Sequence, residues 1–392
     1  MGAGGETVTR DVLAGETAFL REKLFTDYVR RWKEGGGKVI GYSCLIAPVE
    51  LMEAAGLLPY RIKALGSAVT ELADAEMSLY NCSFCRSCLQ LGLDGTYSFL
   101  DGVIETNGCD HMRAMFENWM HRVSPPFFHY LKAPHSFRDD ALEYFRGGME
   151  LLRRDLEEHF GTRVTDEALE RSMEERARVR ELWREVCRLR ELDRPTVSGS
   201  EALDLEVRGS SMLSRDFASL LAGFLEDRKG AVGREPLARL MFCGPATDEV
   251  AWFAELEGMG AVVVADALCF GSRAFLSEPP SGGDPLERLA AGYLGNLLCP
   301  RMYGEYARRR DFILQAARRA RVDGIVYLYN KFCDLHGVDS ALLRRDLERE
   351  GIPVLVLEKE YSARADLGRV KTRVQAFLER IGGEAAWKGA SS

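Results

Sequence analysis

The sequence predicts an α/β protein of two doubly wound domains with parallel sheets, joined by a helical connector. Three features predict it. Apolar strand-like runs alternate with helical stretches, the alternation occurs twice (residues 38–134 and 237–358), and a charged helical stretch lies between the copies. Strands that alternate with helices pair in parallel and are covered on both faces. The first copy opens with the apolar run Lys38–Cys44, a buried strand. A helix follows from Pro48, a residue suited to the first helical position, and Gly56 stops it. Then come a short strand at Leu58–Ile62, a helical stretch over about 67–91, a strand at Phe99–Thr106, a helix at Asp110–Arg122 and a strand at Phe127–Leu131.

The second copy begins with a strand at Leu237–Cys243, a helical run ending near Gly258 and a valine-rich strand at Ala261–Asp266. Helical segments fill about 284–320, and Gly324–Tyr329 is a strand. Asp339 caps a helix that Gly351 ends, and Pro353–Leu357 is the last strand. The copies match best where Asp101-Gly, an apolar strand, Asn107 and Cys109-Asp110 parallel Asp323-Gly, an apolar strand, Asn330 and Cys333-Asp334. Duplication predicts one strand order for both halves. In the connector, Thr165 precedes acids that favour a helix start, and Leu169, Met173, Leu182, Val186 and Leu189 form an apolar stripe. Ser214–Asp227 is a further amphipathic helix. The expected divisions are an N-terminal helical segment (1–37), a first α/β domain (38–135), the connector (136–236) and a second α/β domain (237–392).

The chain has 392 residues, with 52 Lys and Arg against 60 Asp and Glu, a formal net charge of −8. That charge disfavours a nucleic-acid footprint. No run of about 18 apolar residues is present to span a membrane, and the start lacks a secretory pattern. Glu6 stands where myristoylation needs Ser or Thr. A cytoplasmic location is therefore expected. The triplet Gly35-Gly36-Gly37 runs into Lys38-Val39 without the Mg-binding hydroxyl of a P-loop.

Ten cysteines in such a chain point to metal ligands or buried thiols rather than a disulfide framework. Cys44, Cys109, Cys243 and Cys333 fall at or just after strand ends, and Cys269 closely follows another. Ligands of open α/β sheets gather there, and the following helix starts favour thiolates. Asn81-Cys82-Ser-Phe-Cys85-Arg-Ser-Cys88 adds a local C-x-x-C-x-x-C run. It lacks the fourth cysteine and proline of bacterial ferredoxins, and no second tight Cys/His pair completes a zinc site. On a helix Cys82 and Cys85 would share a face, with Cys88 at its edge. The run alone leaves iron–sulfur ligands and inert thiols both open.

The segment Gly41-Tyr-Ser-Cys44-Leu-Ile-Ala-Pro48-Val-Glu50-Leu-Met-Glu-Ala-Ala-Gly56 resembles the opening motif of the 2-hydroxyacyl-CoA dehydratase D-component family, which includes the B and C subunits of benzoyl-CoA reductase. Further matches follow in order: Cys82-Ser-Phe with Arg86-Ser87, Leu100-Asp-Gly-Val with Cys109-Asp110 and Trp119, and Asp266 with Cys269 and Gly271-Ser-Arg273. Lys331-Phe-Cys333-Asp334 and Thr372-Arg373 with Ala376-Phe377-Leu-Glu379 complete the set, which spans about 38–380. Gly368-Arg369 departs from the Gly-Gln common in the family.

The resemblance implies two flavodoxin-like domains with one [4Fe-4S] cluster between them, held by Cys82, Cys109 and Cys333, with Cys44 and Cys85 as further candidates. Three thiolates leave one iron with an exchangeable position. The implied activity is that of a 2-hydroxyacyl-CoA dehydratase (a lyase) or benzoyl-CoA reductase (an oxidoreductase) subunit. An ATP-dependent iron–sulfur activator would supply one electron to an acyl-CoA thioester, and a homologous second subunit would pair with the chain. In a dehydratase a ketyl radical then expels the hydroxyl. In the reductase the aromatic ring becomes a diene. The surplus thiols Cys85, Cys88, Cys243, Cys269 and Cys299 keep open a double-cubane ATP-dependent reductase of small molecules. A non-catalytic cluster-binding or transfer protein is a third reading. Cys187 reads as an ordinary buried thiol, Glu50 as a helix-dipole acid, Asp110 and Asp334 as caps, and Tyr42 and Trp119 as core. His111 is a candidate for proton transfer or packing, and Arg86 and Arg273 for neutralising a cluster or phosphate.

Overall fold

The computed structural model describes residues 18–233, 235–362 and 366–382. The first seventeen positions of the expected N-terminal segment lie outside the described residues. Helix α1 (Asp27–Glu34) leads into strand β1 (Val39–Tyr42), helix α2 (Val49–Ala54) and strand β2 (Leu58–Arg61). Helices α3 (Glu71–Asp74) and α4 (Ser83–Leu93), strand β3 (Gly102–Thr106), helix α5 (Asp110–Asn118) and strand β4 (Phe128–Leu131) follow. The connector holds α6 (Asp139–Phe160), α7 (Asp166–Glu191), α8 (Gly199–Gly209) and α9 (Ser214–Asp227). Next come β5 (Ala238–Cys243), α10 (Val250–Glu257), β6 (Ala261–Ala267), α11 (Pro285–Asn296) and α12 (Tyr306–Arg319). The chain then runs through β7 (Gly324–Asn330), α13 (Asp334–Arg349), β8 (Val354–Lys359) and α14 (Leu367–Gly382).

Both sheets are four-stranded and parallel, in the orders β2-β1-β3-β4 and β6-β5-β7-β8. The two orders are the same, as duplication requires. The likeness extends to single hydrogen bonds. Asp101 accepts from the Val39 amide at 2.9 Å to start β1, and Asp323 accepts from the Arg239 amide at 2.7 Å near the start of β5.

Three helix expectations need correction, while the helical segments expected over 284–320 are α11 and α12, separated at residues 297–305. The stretch over 67–91 is two helices, because residues 75–82 turn to bring Cys82 to the start of α4. The helix expected to begin at Asp339 begins at Asp334 with Cys333 as its cap, while Asp339 is buried inside it against Arg309, with a 3.0 Å bond from Nε. The Asp110–Arg122 helix ends at Asn118 and widens into a π turn, Trp119–Val123, closed by Ser124 in a left-handed conformation at φ 51°.

The lobes interlock. After β2, α4 lies against α3 and α5 of its own lobe and also reaches the second, with the Phe84 ring 5.1 Å from that of Tyr361 and 6.3 Å from that of Phe270. After β6, α11 packs in the first lobe's core, where Leu289 and Tyr293 join Ile40, Met52 and Phe145. Both segments connect an edge strand to the third strand of their own sheet, so they occupy matching places in the two copies.

Arg61 ties the lobes and connector together. It donates to Ser43 O (3.1 Å), Glu206 Oε1 (3.0 Å) and Cys269 O (2.8 Å), and its guanidinium lies 3.8 Å over the Phe270 ring. Both side chains of the Arg61–Glu206 pair are only 2% exposed. Removing one member of a buried pair strands the other charge. Arg61→Leu is expected to cost about 3–5 kcal/mol in urea unfolding, and adding Glu206→Leu should recover most of it. An unchanged midpoint in the single variant would show that the pair does not hold the fold.

Candidate metal centre

Cys109, Cys82 and Cys333 share one structural trait: each is the residue that caps a helix start. Cys109 follows β3 and precedes α5, Cys333 follows β7 and precedes α13, and Cys82 precedes α4. None uses its side chain to cap the helix by a hydrogen bond, which leaves the sulfurs for another partner. Helix starts carry partial positive charge and favour thiolates. Phe332, immediately before Cys333, is held in the left-handed region at φ 66°. That strain is the kind stored where backbone must present a functional group.

The three thiols feel one another. Donation from the Cys85 thiol pulls the Cys82 pKa down to about 6 against the opposing effect of burial, aided by the Phe84 and Cys85 amides and by His111. Cys85 itself is pushed well up by that same bond and by burial. Burial raises Cys109 to about 12, opposed by the Met112 amide, with Cys82, Cys44 and Cys299 adding to the rise. Burial also raises Cys333, and Cys82, Cys109 and Cys269 push further in the same direction. Mutual repulsion of this kind is relieved by a bound cation. Among the described residues no three His, Cys, Asp or Glu side chains are grouped closely enough for a single ion.

Cys109 and Cys333 line a cavity of about 290 Å³ with His111, His135, Tyr130 and Arg301. Arg301 is 4% exposed and comes from the second half of the chain. It donates to Gly108 O and Asn107 O at 3.2 Å, to Ala133 O at 3.0 Å and to Pro134 O at 2.9 Å. It therefore fixes the loop that carries Cys109. Asn107 adds to this by donating to Ala133 O and accepting from its amide, at 3.0 and 2.7 Å. On the other side Ser83, next to Cys82, accepts from the Tyr361 amide at 2.9 Å. His111 Nδ1 pairs with Asn81 Oδ1 at 2.8 Å, and its Nε2 lies 3.4 Å from Asp334 of the other lobe.

The other candidates divide. Cys44 lies against Gly108, where an added Cβ would sit 3.0 Å from its sulfur. Cys82 caps α4 rather than riding on it, yet it meets Cys85 of the first turn, as their spacing predicts, and their thiols touch. Cys88 is fully buried in the core, and Cys243 is 1% exposed. Cys187 sits 3.8 Å from Ser272 Oγ, with burial raising its pKa. Arg273 donates to Cys269 Sγ at 2.6 Å, and Arg86 pairs with Asp74 at 2.6 Å. Asp110 and Asp334 are first-turn acids, not caps. Glu50 is also a first-turn acid, but it is fully buried and accepts from Tyr293 at 2.6 Å, a contact no dipole argument anticipates. Trp119 is core, and Tyr42 is buried at the rim of an internal chamber.

Residues 44–381 match the family model described as 2-hydroxyglutaryl-CoA dehydratase, D-component. The chain belongs to this family. It is 25% identical to the (R)-phenyllactyl-CoA dehydratase beta subunit of Clostridium sporogenes, covering 92% of this chain and 99% of that one. It is 26% identical to the benzoyl-CoA reductase C subunit of Thauera aromatica, over 86% of this chain and 89% of the relative. The (R)-2-hydroxyglutaryl-CoA dehydratase beta subunit of Acidaminococcus fermentans is 22% identical, over 90% and 94% of the two chains. The chain is thus an enzyme subunit of the acyl-CoA dehydratase and benzoyl-CoA reductase family. No helix among its described residues is long and apolar enough to cross a membrane.

One acid beside this D-component cavity was not singled out by the sequence. Glu105, on β3, is 1% exposed, has a buried Oε1 without a partner, and pairs in register with cavity-lining Tyr130. Burial is the main cause that lifts its pKa from 4.5 to about 9, with Glu117 adding to it. The folded chain therefore keeps a proton that the unfolded chain releases, and stability falls as pH rises from about 4.5 toward 9. Glu105→Gln cannot ionise. Its stability relative to the native protein should rise steadily over that range in urea titrations at successive pH values, and a pH-independent difference would refute the assignment.

Proposed function

We propose that the chain is a [4Fe-4S]-binding catalytic subunit of a 2-hydroxyacyl-CoA dehydratase or benzoyl-CoA reductase type enzyme, with Cys82, Cys109 and Cys333 as the cluster ligands. The observation that carries this reading is the trio of helix-start thiols, drawn from both lobes and close enough to repel one another, two of which line one cavity. Cys44 and Cys85 stand next to the trio as candidates for further ligands.

Such a cluster would supply one-electron reducing chemistry to an acyl-CoA thioester, with an open iron position for a substrate oxygen. The chain's own part is positioning and proton supply. Arg301 and Asn107 hold the Cys109 loop, and Ser83 anchors the start of α4. A departing hydroxyl or a reduced ring needs protons, and Glu105 holds one on its carboxyl beside Tyr130 at neutral pH. The relatives are named as beta or C subunits, which supports a partner subunit here. We infer that the partner is homologous and that a separate ATP-hydrolysing iron–sulfur activator provides the electron.

Anaerobically purified protein should hold about four irons and four sulfides and absorb broadly near about 400 nm. Cys109→Ala should lose both while keeping its helical circular dichroism. An iron-free native protein from a fully anaerobic preparation would overturn the reading. About eight irons would instead support the double-cubane reductase, in which Cys44, Cys269 and Cys299 have a role. Reversible cluster release without turnover of any acyl-CoA, activator present, would support the transfer protein.

A further inference from the structure

Helix α6 buries one side and leaves the other bare. Ala141, Phe145, Met149, Leu152 and Leu156 are buried against the core. Opposite them, Asp140, Tyr144, Gly147, Leu151, Arg154 and Glu158 recur at alternate steps of four and three residues, which on a helix sets them along one line. All six are exposed.

Two observations mark this line as a contact surface. Tyr144 is 57% exposed and Leu151 47%, one on either side of Gly147. Single exposed apolar residues are ordinary, but two on one helical line with a gap between them form ridges and a notch that a matching helix can fill. The notch itself is the second observation. A glycine inside a helix lowers its stability, and nothing lies within 4 Å of a Cβ added at Gly147, so no packing among the described residues requires it. Its neighbour Gly148 differs, because a Cβ there meets Leu131 at 3.2 Å.

The charges along the line select the occupant. Asp140 stands seven residues before Gly147 and Arg154 seven residues after it. A second molecule of the chain, laid antiparallel across a twofold axis at Gly147, brings its Arg154 to Asp140 and its Leu151 beside Tyr144. The line is thus complementary to its own reverse in charge and in shape. A parallel pairing would instead set each charge against its like, which is unfavourable. Within the chain Asp140 pairs only with Arg138, at 3.3 Å, and the two side chains are 73% and 71% exposed. Such a surface pair contributes little and yields readily to a partner.

We propose that the exposed line of α6 is a self-complementary docking face, on which a second molecule of this chain packs antiparallel with Gly147 at the crossing. This goes beyond the homologous partner inferred above, because it makes that partner identical. Sedimentation equilibrium of the full chain tests it, and the native chain should show twice the chain mass at about 10 μM. Leu151→Arg and Gly147→Leu should each weaken the pairing at least about tenfold while keeping the native circular dichroism. Asp140→Arg and Arg154→Asp should each weaken it, and the double variant should restore it, because the reversed charges meet across the axis. Val338→Arg, at an exposed site on α13, should leave it unchanged. A native chain that is monomeric at about 100 μM would overturn the proposal. So would an unchanged mass for Leu151→Arg, or a double variant as weak as the single ones. A chain that is monomeric alone but pairs with a different homologous subunit would overturn it and retain the partner reading. A dimer that takes up no iron in a fully anaerobic preparation would retain it and refute the cluster reading.

Discussion

The structure depends on keeping one positive charge out of water. The Arg61 guanidinium sits where the first sheet, the connector and the second sheet meet, and it satisfies a backbone carbonyl from each lobe as well as the carboxylate of Glu206. A buried cation tolerates that position only while all its partners stay in place. The requirement runs both ways. Burial lifts Glu206 to about 7 even with Arg61, Lys63 and Arg176 opposing it, so the carboxylate also relies on the cations. Nearby, Lys63 donates to Val207 O at 2.6 Å and to Ser211 Oγ at 2.6 Å, fastening the same strand end to the same connector helix. Asp248 of the second lobe accepts from the Ala64 and Leu65 amides at 2.9 and 3.0 Å. The lobes are therefore joined by polar groups that would be costly to expose singly, and these contacts fix how the lobes sit against each other.

That fixed arrangement matters because the thiols come from different lobes. Each caps a helix, and a helix start is a favourable place in a fold to stabilise an anion without a neighbouring cation. Three such starts place the sulfurs within reach of one another's charge by backbone geometry, not by flexible side chains. The arginines nearby act on the loops and not on the sulfurs of the trio. Arg301 directs its hydrogen bonds to carbonyls of the Cys109 loop, and Arg273 bonds to Cys269 and to Gly244 O and Leu298 O. The charge near the trio can thus be set by whatever the thiolates bind.

Much of this was legible in the sequence. Apolar runs found all eight strands, because parallel strands buried on both faces read as continuous apolar stretches. The repeated Asp-Gly, Asn and Cys-Asp elements marked matching corners, and the structure gives the two Asp residues the same bond to a strand start. The helices were less legible. Nothing local distinguishes the α3–α4 region from one long helix, since its break serves contacts such as Ser83 with Tyr361 that lie 278 residues apart. The same holds for Glu50, whose partner Tyr293 is 243 residues away, and for Arg301, which has no motif of its own. Glu105 could have been suspected as a lone acid within an apolar strand.

The contacts between the lobes explain why a duplicated chain would keep both copies. A single lobe offers one helix-start thiol at its third strand and has no second wall to enclose it. In the joined form the start of α4, next to Cys82, bonds to Tyr361 of the second lobe, and the stretch after α11 carries Arg301 back to the loop of Cys109. The second copy thus completes the surroundings of cysteines carried by the first. Because α11 is buried in the first lobe's core, the two copies cannot part without exposing it to water.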